Sequence, residues 1–304
     1  MLANEVFEQV TAQLIADIEA GTGTWRMPWQ CLAELGTPVS ADGRNYRGAN
    51  SLILPMVAAG RGWESGVWAT FKSWQRHGGQ VRRSERGTHI MLWKTTDRTE
   101  STDDNNGPAS ASRRGLVART FVVFAAEQVD GAEPVIARHR RHVERDSVER
   151  IEAAEAYFAA TGLSFREGGN RAFYTPTTDE IHIPAFDQFD HPATFYGVLA
   201  HESAHATGHA DRLARDLTGR FGTDAYAAEE LVAELAAAMW CGQMGVSAAT
   251  RADHASYLSS WISVLRTDAR ALVTVAGKAQ AAVDYLNTLA GYEPASEVDE
   301  AVTV

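Results

Sequence analysis

Long apolar runs are missing from this 304-residue chain. The longest, such as Leu52–Gly60, fall far short of the roughly 18 residues a membrane helix needs, so no spanning segment is expected. Cysteine is nearly absent: Cys31 and Cys241 cannot build a disulfide framework, which points to a reducing cytoplasm. The start, Met1-Leu2-Ala3-Asn4-Glu5-Val6, lacks the basic opening and apolar middle of a signal peptide. Surplus positive charge is lacking too. With 28 Lys and Arg against 39 Asp and Glu, the net charge is −11, which for the chain as a whole disfavours binding a phosphate backbone. What is present is globular in character: 45% hydrophobic and 22% charged residues exclude wholesale disorder. The length suits two domains of about 100–200 residues each.

The average charge conceals an asymmetry. From Arg44 to Lys94, nine basic residues face only Glu64 and Glu85, a net of +7, which leaves −18 on the remainder. The same stretch carries Trp63, Trp68, Trp74 and Trp93, half of the chain's eight tryptophans. Two differently charged units are implied. Ahead of them, Val6, Val10, Leu14 and Ile18 predict an amphipathic first helix, on which the tryptophans of the turn-like Trp25-Arg26-Met27-Pro28-Trp29 are expected to pack. Beyond Tyr46, the runs Val67–Phe71, Gly87–Lys94 and Arg119–Phe124 predict strands. Between the last two, 97–115 is too polar to bury and reads as a mobile hairpin loop. The charge run Arg138–Arg145 marks a domain boundary. After it, 148–161 predicts a helix, 171–174 and 180–183 predict short strands, and a mostly helical remainder begins with Thr194–Gly208. Past Gly291 the chain is expected to fray as an acidic tail.

His201-Glu202-Ser203-Ala204-His205 is an H-E-x-x-H pattern. On a helix, residues four apart share a face, so both imidazoles can reach one metal ion while Glu202 serves as general base. Composition predicts only about 0.02 chance occurrences of this pattern in the chain. The bland alternative is a pair of solvated histidines on an amphipathic helix. A catalytic zinc takes three protein ligands, so two histidines are insufficient. The helical stretch from Tyr226 offers Glu230 and Glu234 on one side, an arrangement that resembles gluzincins. We take Glu230 as the third ligand and Glu234 as the acceptor of a hydrogen bond from a ligand histidine. Glu229 stays open as an alternative ligand, because a register of one residue is not settled by sequence. A second completion, through Gly208 to Asp211, looks like the metzincin variant but leaves the glutamate-rich helix without a task. The strands at 171–174 and 180–183 stand where zincins place a sheet whose edge holds an extended substrate.

The basic stretch has its own pattern. Arg44-Asn45-Tyr46-Arg47-Gly48-Ala49-Asn50 surrounds one ring with phosphate donors, and Trp68–Gly79 and Val81–Gly87 alternate aromatics with cations. That combination suits single strands, whose unpaired bases stack on rings while Lys and Arg follow the backbone. The candidate contacts are Arg44, Tyr46, Arg47, Asn50, Lys72, Trp74, Arg76, Arg82, Arg83 and Arg86, with Trp68 and Phe71 assigned to the core. The competing reading is a small tryptophan core under a solvated basic face.

Taken in order, the motifs resemble ArdC-type antirestriction proteins over most of the chain. The amino-terminal ones are Trp25-Arg26-x-Pro28-Trp29, Tyr46-Arg47-Gly48-x-Asn50, Trp68-x-Thr70-Phe71-Lys72, Gly78-Gly79-x-Val81-Arg82 and Phe121-Val122-Val123-Phe124-x-x-Glu127. The carboxy-terminal ones are Tyr174-x-Pro176, Asp179-x-Ile181, Leu199-Ala200-His201-Glu202-x-x-His205-x-Thr207-Gly208-His209, Arg212-Leu213-x-Arg215 and Glu229-Glu230-Leu231-Val232-Ala233-Glu234. The resemblance implies an α+β chain: a mixed α/β domain binding single-stranded DNA (1–135), then a mainly helical, zincin-like metallopeptidase domain with a small sheet (148–290), then the tail (291–304). It implies Zn²⁺, or another divalent ion such as Mn²⁺, and a cytoplasmic protein of a mobile element that shields incoming DNA from host restriction. Single-stranded DNA is the expected partner, with a host restriction enzyme or another protein as possible peptidase substrate. In such proteins antirestriction need not depend on proteolysis, so a non-proteolytic DNA-binding protein on a metal-stabilised scaffold is the alternative. Arg83 and Ser84 depart from a common Lys-Gly pair.

Overall fold

A computed structural model describes residues 36–97, 114–140, 147–217, 224–246 and 271–294, together with Ala12 and Arg266. The expected first helix apart from Ala12, the Trp25–Trp29 turn, 98–113 of the expected loop and 295–304 of the expected tail lie outside the described residues.

In chain order the first half runs β1 (Val39–Ser40), α1 (Ala49–Arg61), β2 (Val67–Thr70), α2 (Phe71–Arg76), β3 (Gln80–Val81), β4 (Thr88–Asp97), β5 (Arg114–Ala125), β6 (Val129–Asp130) and α3 (Glu133–Arg140). A four-stranded sheet has the order β1-β2-β5-β4, with β1 parallel to β2 and the other neighbours antiparallel. β4 and β5 stay paired from Thr88↔Val123 to Asp97↔Arg114. Asp97, Arg114 and Gly115 therefore belong to the ladder and not to the expected loop, since backbone pairing satisfies their amides whatever the side chain.

α1 covers one sheet face. Leu54 and Ala58 pack there with Tyr46, Trp68, Ile90, Val123 and Ala125. Against the other face, Val67, Ala69 and Phe124 meet Trp74, Val81, Val129 and Val135, held over the sheet by the β3–β6 pair and α3. Gly62, in the left-handed region at φ 66, ends α1 by donating its N–H to the carbonyls of Ala58 and Ala59. Asn50 docks the other end: its side chain donates to Met91 O at 2.6 Å and accepts from Met91 N at 3.0 Å, extending the ladder at the β4 edge.

The second half comprises α4 (Ser147–Thr161), β7 (Phe165–Glu167), β8 (Phe173–Thr175), β9 (Glu180–Ile183), α5 (Pro192–Thr207), α6 (Asp224–Met244) and α7 (Ala271–Ala290). The strand order is β7-β9-β8, with β7 parallel and β8 antiparallel to β9, so β8 is an edge. β7 escaped sequence reading because all three of its residues are exposed and give no alternation. The helices close around Tyr157, Phe158, Tyr196, Leu231 and Trp240, and Leu52 of α1 enters the same core. The halves are tied further where the Arg47 guanidinium pairs with Asp284 and Gly48 N donates to Gln280 Oε1 at 3.1 Å.

Candidate metal centre

α5 begins with Pro192 in its first turn, where a missing N–H is harmless. Its buried side carries His201 and Glu202, 2% and 3% exposed. α6 packs across it and presents Glu229, Glu230 and Glu234. His201 Nε2 and His205 Nε2 are 3.2 Å apart, and each lies 3.5 Å from an oxygen of Glu230. An ion held tetrahedrally at about 2.0–2.1 Å separates its ligand atoms by about 3.3 Å. Glu230 turns one oxygen to each nitrogen, and ligand atoms of the three residues lie within 4.8 Å of one another, a cluster that fits a divalent cation. Sequence reasoning assigned these three as ligands, and the fold brings their donor groups together.

The outward nitrogens also face carboxylates. His201 Nδ1 lies 3.3 Å from Glu234 Oε1 but makes no hydrogen bond there, so the bond assigned to Glu234 from sequence is not formed, whereas His205 Nδ1 lies 3.3 Å from Glu229 Oε1. Glu229 holds His205 by its outer nitrogen, which fixes that ring and raises its basicity toward a metal. Glu229, the alternative ligand, is turned instead to His205 Nδ1 and to Arg215, whose Nε and Nη2 reach it at 3.0 and 2.9 Å. Burial works to raise the Glu230 carboxyl, but the hydrogen bond from His201 and the charges of His205 and His201 outweigh it and bring it down to about 2. Burial likewise opposes, and the hydrogen bonds of His205 and Arg215 overcome it, in lowering the Glu229 carboxyl.

The segment after α5 folds back over its end: Leu213 N bonds Thr207 O, and Arg215 N bonds Gly208 O, both at 3.0 Å. Arg215 also donates to Thr207 Oγ1 and Ala204 O. Arg212 binds both oxygens of Asp179 at 2.7 Å, and Asp179 accepts the Tyr174 hydroxyl at 2.8 Å. The Arg212 hydrogen bond is the main cause that holds the Asp179 carboxyl below its usual range. Arg212, Arg215 and Glu229 as a bracing set were missed. The Arg212-Leu213-x-Arg215 motif carried the signal without revealing its partners. Asp211, the metzincin-type candidate, is 91% exposed and 3.7 Å from His209, outside the ligand cluster. The three candidate ligands and Glu202 line a cleft of about 230 Å³, together with Arg171–Tyr174, which run into the β8 edge, and with Tyr226 and Leu217.

The basic residues divide sharply. Tyr46 and Trp74 are buried at 2% and 0% exposure, with Tyr46 Oη donating to Trp68 O and Trp74 Nε1 to Phe124 O. Each such ring buries about 150–250 Å², worth roughly 4–6 kcal/mol at about 25 cal/mol/Å². Stacking on a base returns only about 1–3 kcal/mol, so the core keeps both and neither is a DNA contact. Asn50 is withdrawn too, since its side chain is spent on Met91, whereas Arg47 pairs with Asp284 and keeps a partly exposed side chain. Phe71, assigned to the core, is 41% exposed instead, because it opens α2 at the sheet rim. Arg76 leans toward Asp42 at 3.6 Å, and Arg82 pairs with Glu85 at 3.0 Å. Arg44, Lys72, Arg83 and Arg86 are exposed.

Comparison with known proteins completes the description. Residues 4–124 match the N-terminal domain of anti-restriction factor ArdC, and 152–278 match the zincin-like metallopeptidase family. The crystal structure of antirestriction protein ArdC from plasmid R388, in metal-free form, superposes with a TM-score of 0.75 at 32% identity, covering 94% of this chain and 98% of that one. The chain belongs to the ArdC family. The Mn(II)-bound form of the R388 protein matches at a TM-score of 0.73, 32% identity and coverages of 93% and 97%. Among curated relatives of this ArdC-family protein, the uncharacterized protein y4eC of Sinorhizobium fredii is 42% identical, covering 93% of this chain and 92% of its own. The DNA primase TraC of Escherichia coli is 35% identical over 92% of this chain but only 27% of its own length, so the ArdC-like unit spans about a quarter of that primase. Among the described residues no helix is long and apolar enough to cross a membrane.

Proposed function

We propose that this chain is an antirestriction protein of a mobile element that binds single-stranded DNA through a unit spanning 1–135 and hydrolyses peptide bonds in a unit spanning 148–290. The observation that carries the peptidase reading is the gathering of His201, His205 and Glu230, with ligand atoms within 4.8 Å of one another, beside Glu202 in an open cleft. Two imidazoles and one carboxylate suit Zn²⁺ best, with Mn²⁺ the competing ion. Bound there, the cation would supply Lewis acidity toward a carbonyl oxygen and would acidify water. Glu202 takes a proton from the attacking water and returns it to the leaving nitrogen. The β8 edge offers unpaired backbone groups to an extended peptide, which positions its scissile bond over Glu202. The reading places the protein in the cytoplasm, in keeping with a buried, unpaired Cys241.

The test is Glu202→Gln in the full chain, with metal content, peptide cleavage and protection of transferred DNA measured together. Retained metal with cleavage lost, at least 100-fold, is expected for removal of a general base. Cleavage at the wild-type rate would refute the role of Glu202. Full protection by the inactive variant would assign antirestriction to DNA binding and leave the metal centre as a scaffold.

A further inference from the structure

DNA binding as proposed above leaves open where the strand lies, and any surface assigned to the strand rests on that proposal. β5 alternates about its sheet: Val123 and Ala125 turn in under α1, whereas Phe124 turns to the other face with the second core. That core stops short of Val122, which shares this face and is 39% exposed. Phe71 is 41% exposed and meets Phe124 edge-on, with ring centroids 6.5 Å apart. Thr70 Oγ1 accepts from Ser73 N at 3.3 Å, so the ring stands on a capped helix start.

Cations border this strip. Lys72 directly follows Phe71. Gly87 runs so close beneath it that a Cβ there would meet Val122 Cγ1 at 2.3 Å and Phe124 Cε1 at 3.1 Å, which brings the preceding Arg86 to the margin. Gln128 Nε2 holds the Arg86 carbonyl at 2.9 Å. Arg83 projects from a turn closed by Glu85 N on Arg82 O. Lys72, Arg83 and Arg86 are exposed and have no carboxylate partner among the described residues, unlike Arg76 and Arg82.

The geometry points to this strip, Phe71 with Val122 between Lys72 and Arg86, as the surface on which single-stranded DNA lies, one base stacked on Phe71 and the phosphates passing the two cations. An acidic peptide would satisfy the cations but lay no planar ring on Phe71, and a duplex keeps its rings inside the stack.

The experiment titrates the full-length protein against labelled oligothymidylate and against an abasic strand of equal length, over a range of salt. Wild type binds the thymidylate strand more tightly. Phe71→Ala weakens that binding about tenfold, leaves abasic binding and the salt slope unchanged, and is rescued by Phe71→Trp. Lys72→Gln and Arg86→Gln each reduce the slope of log affinity against log salt by about 0.7 on both strands. Thermal melting of every variant matches wild type. Wild type binding neither strand would end the DNA-binding reading itself. Wild-type binding of thymidylate by Phe71→Ala, an undiminished slope in both cation variants, or equal wild-type affinity for the two strands would overturn this surface alone.

Discussion

Replacing Arg215 by Met tests the bracing of the metal centre most directly. Its side chain is 7% exposed and that of Glu229 is 12% exposed, so their bidentate pair, at 3.0 and 2.9 Å, is largely shielded from water. Removing one partner of a buried pair strands the other charge, at about 3–5 kcal/mol. Thr207 Oγ1 and Ala204 O lose donors as well, at roughly 1 kcal/mol each if water does not replace them. A loss of about 3–7 kcal/mol, the upper end if water does not reach the two acceptors, is expected in guanidinium denaturation of the chelator-treated protein. Glu229 then no longer holds His205 Nδ1 in place, and metal affinity, read by competition with a chromophoric chelator, should fall about 10–100-fold. Adding Glu229→Gln removes the stranded charge, so the double variant should regain at least about 1 kcal/mol over Arg215→Met. A loss below about 1 kcal/mol with unchanged metal affinity, or a double variant no better than the single one, would refute the reasoning.

Two further outcomes are expected from the same geometry. The folded-state pKa of Glu230 lies near 2 against an ordinary 4.5, so the unfolded chain takes up its proton first and the group stabilises the fold above about pH 4.5. That contribution is lost as pH falls toward 2; the acid limb of melting temperature against pH in metal-free protein should flatten in Glu230→Gln, and an unchanged limb would contradict the assignment. Gly208→Ala would put a Cβ 2.9 Å from Leu217 Cδ2, 3.0 Å from His205 O and 3.1 Å from Arg215 Nη2. A loss of about 1–3 kcal/mol with weakened metal binding is expected from the crowding, and wild-type melting would show that the returning segment has room to spare.

The candidate metal cluster was legible because its spacing is local. His201, Glu202 and His205 lie within one helical turn and a half, and Glu230 and Glu234 share one side of the next helix, so periodicity alone aligns them. The one-residue choice between Glu229 and Glu230 needed the packing of α6 on α5. The aromatic and basic stretch was misread in part for a different reason. Tyr46, Asn50 and Trp74 have the composition of a strand-binding surface, and only the sheet decides that their polar atoms end on Trp68, Met91 and Phe124. Phe71 erred the opposite way, because β2 ends one residue earlier than its pattern implies and the ring falls at the rim.

By itself the sequence determined the class of each half, the segregation of charge, the H-E-x-x-H helix and its carboxylate partners, since each depends on spacing along one element. Tertiary structure decided which cations and rings remain free, that Arg215 and Glu229 brace His205, and that Arg47 joins the halves at Asp284. Those facts depend on contacts between residues distant in the chain, and neither periodicity nor composition encodes which distant groups will meet and consume one another's hydrogen bonds.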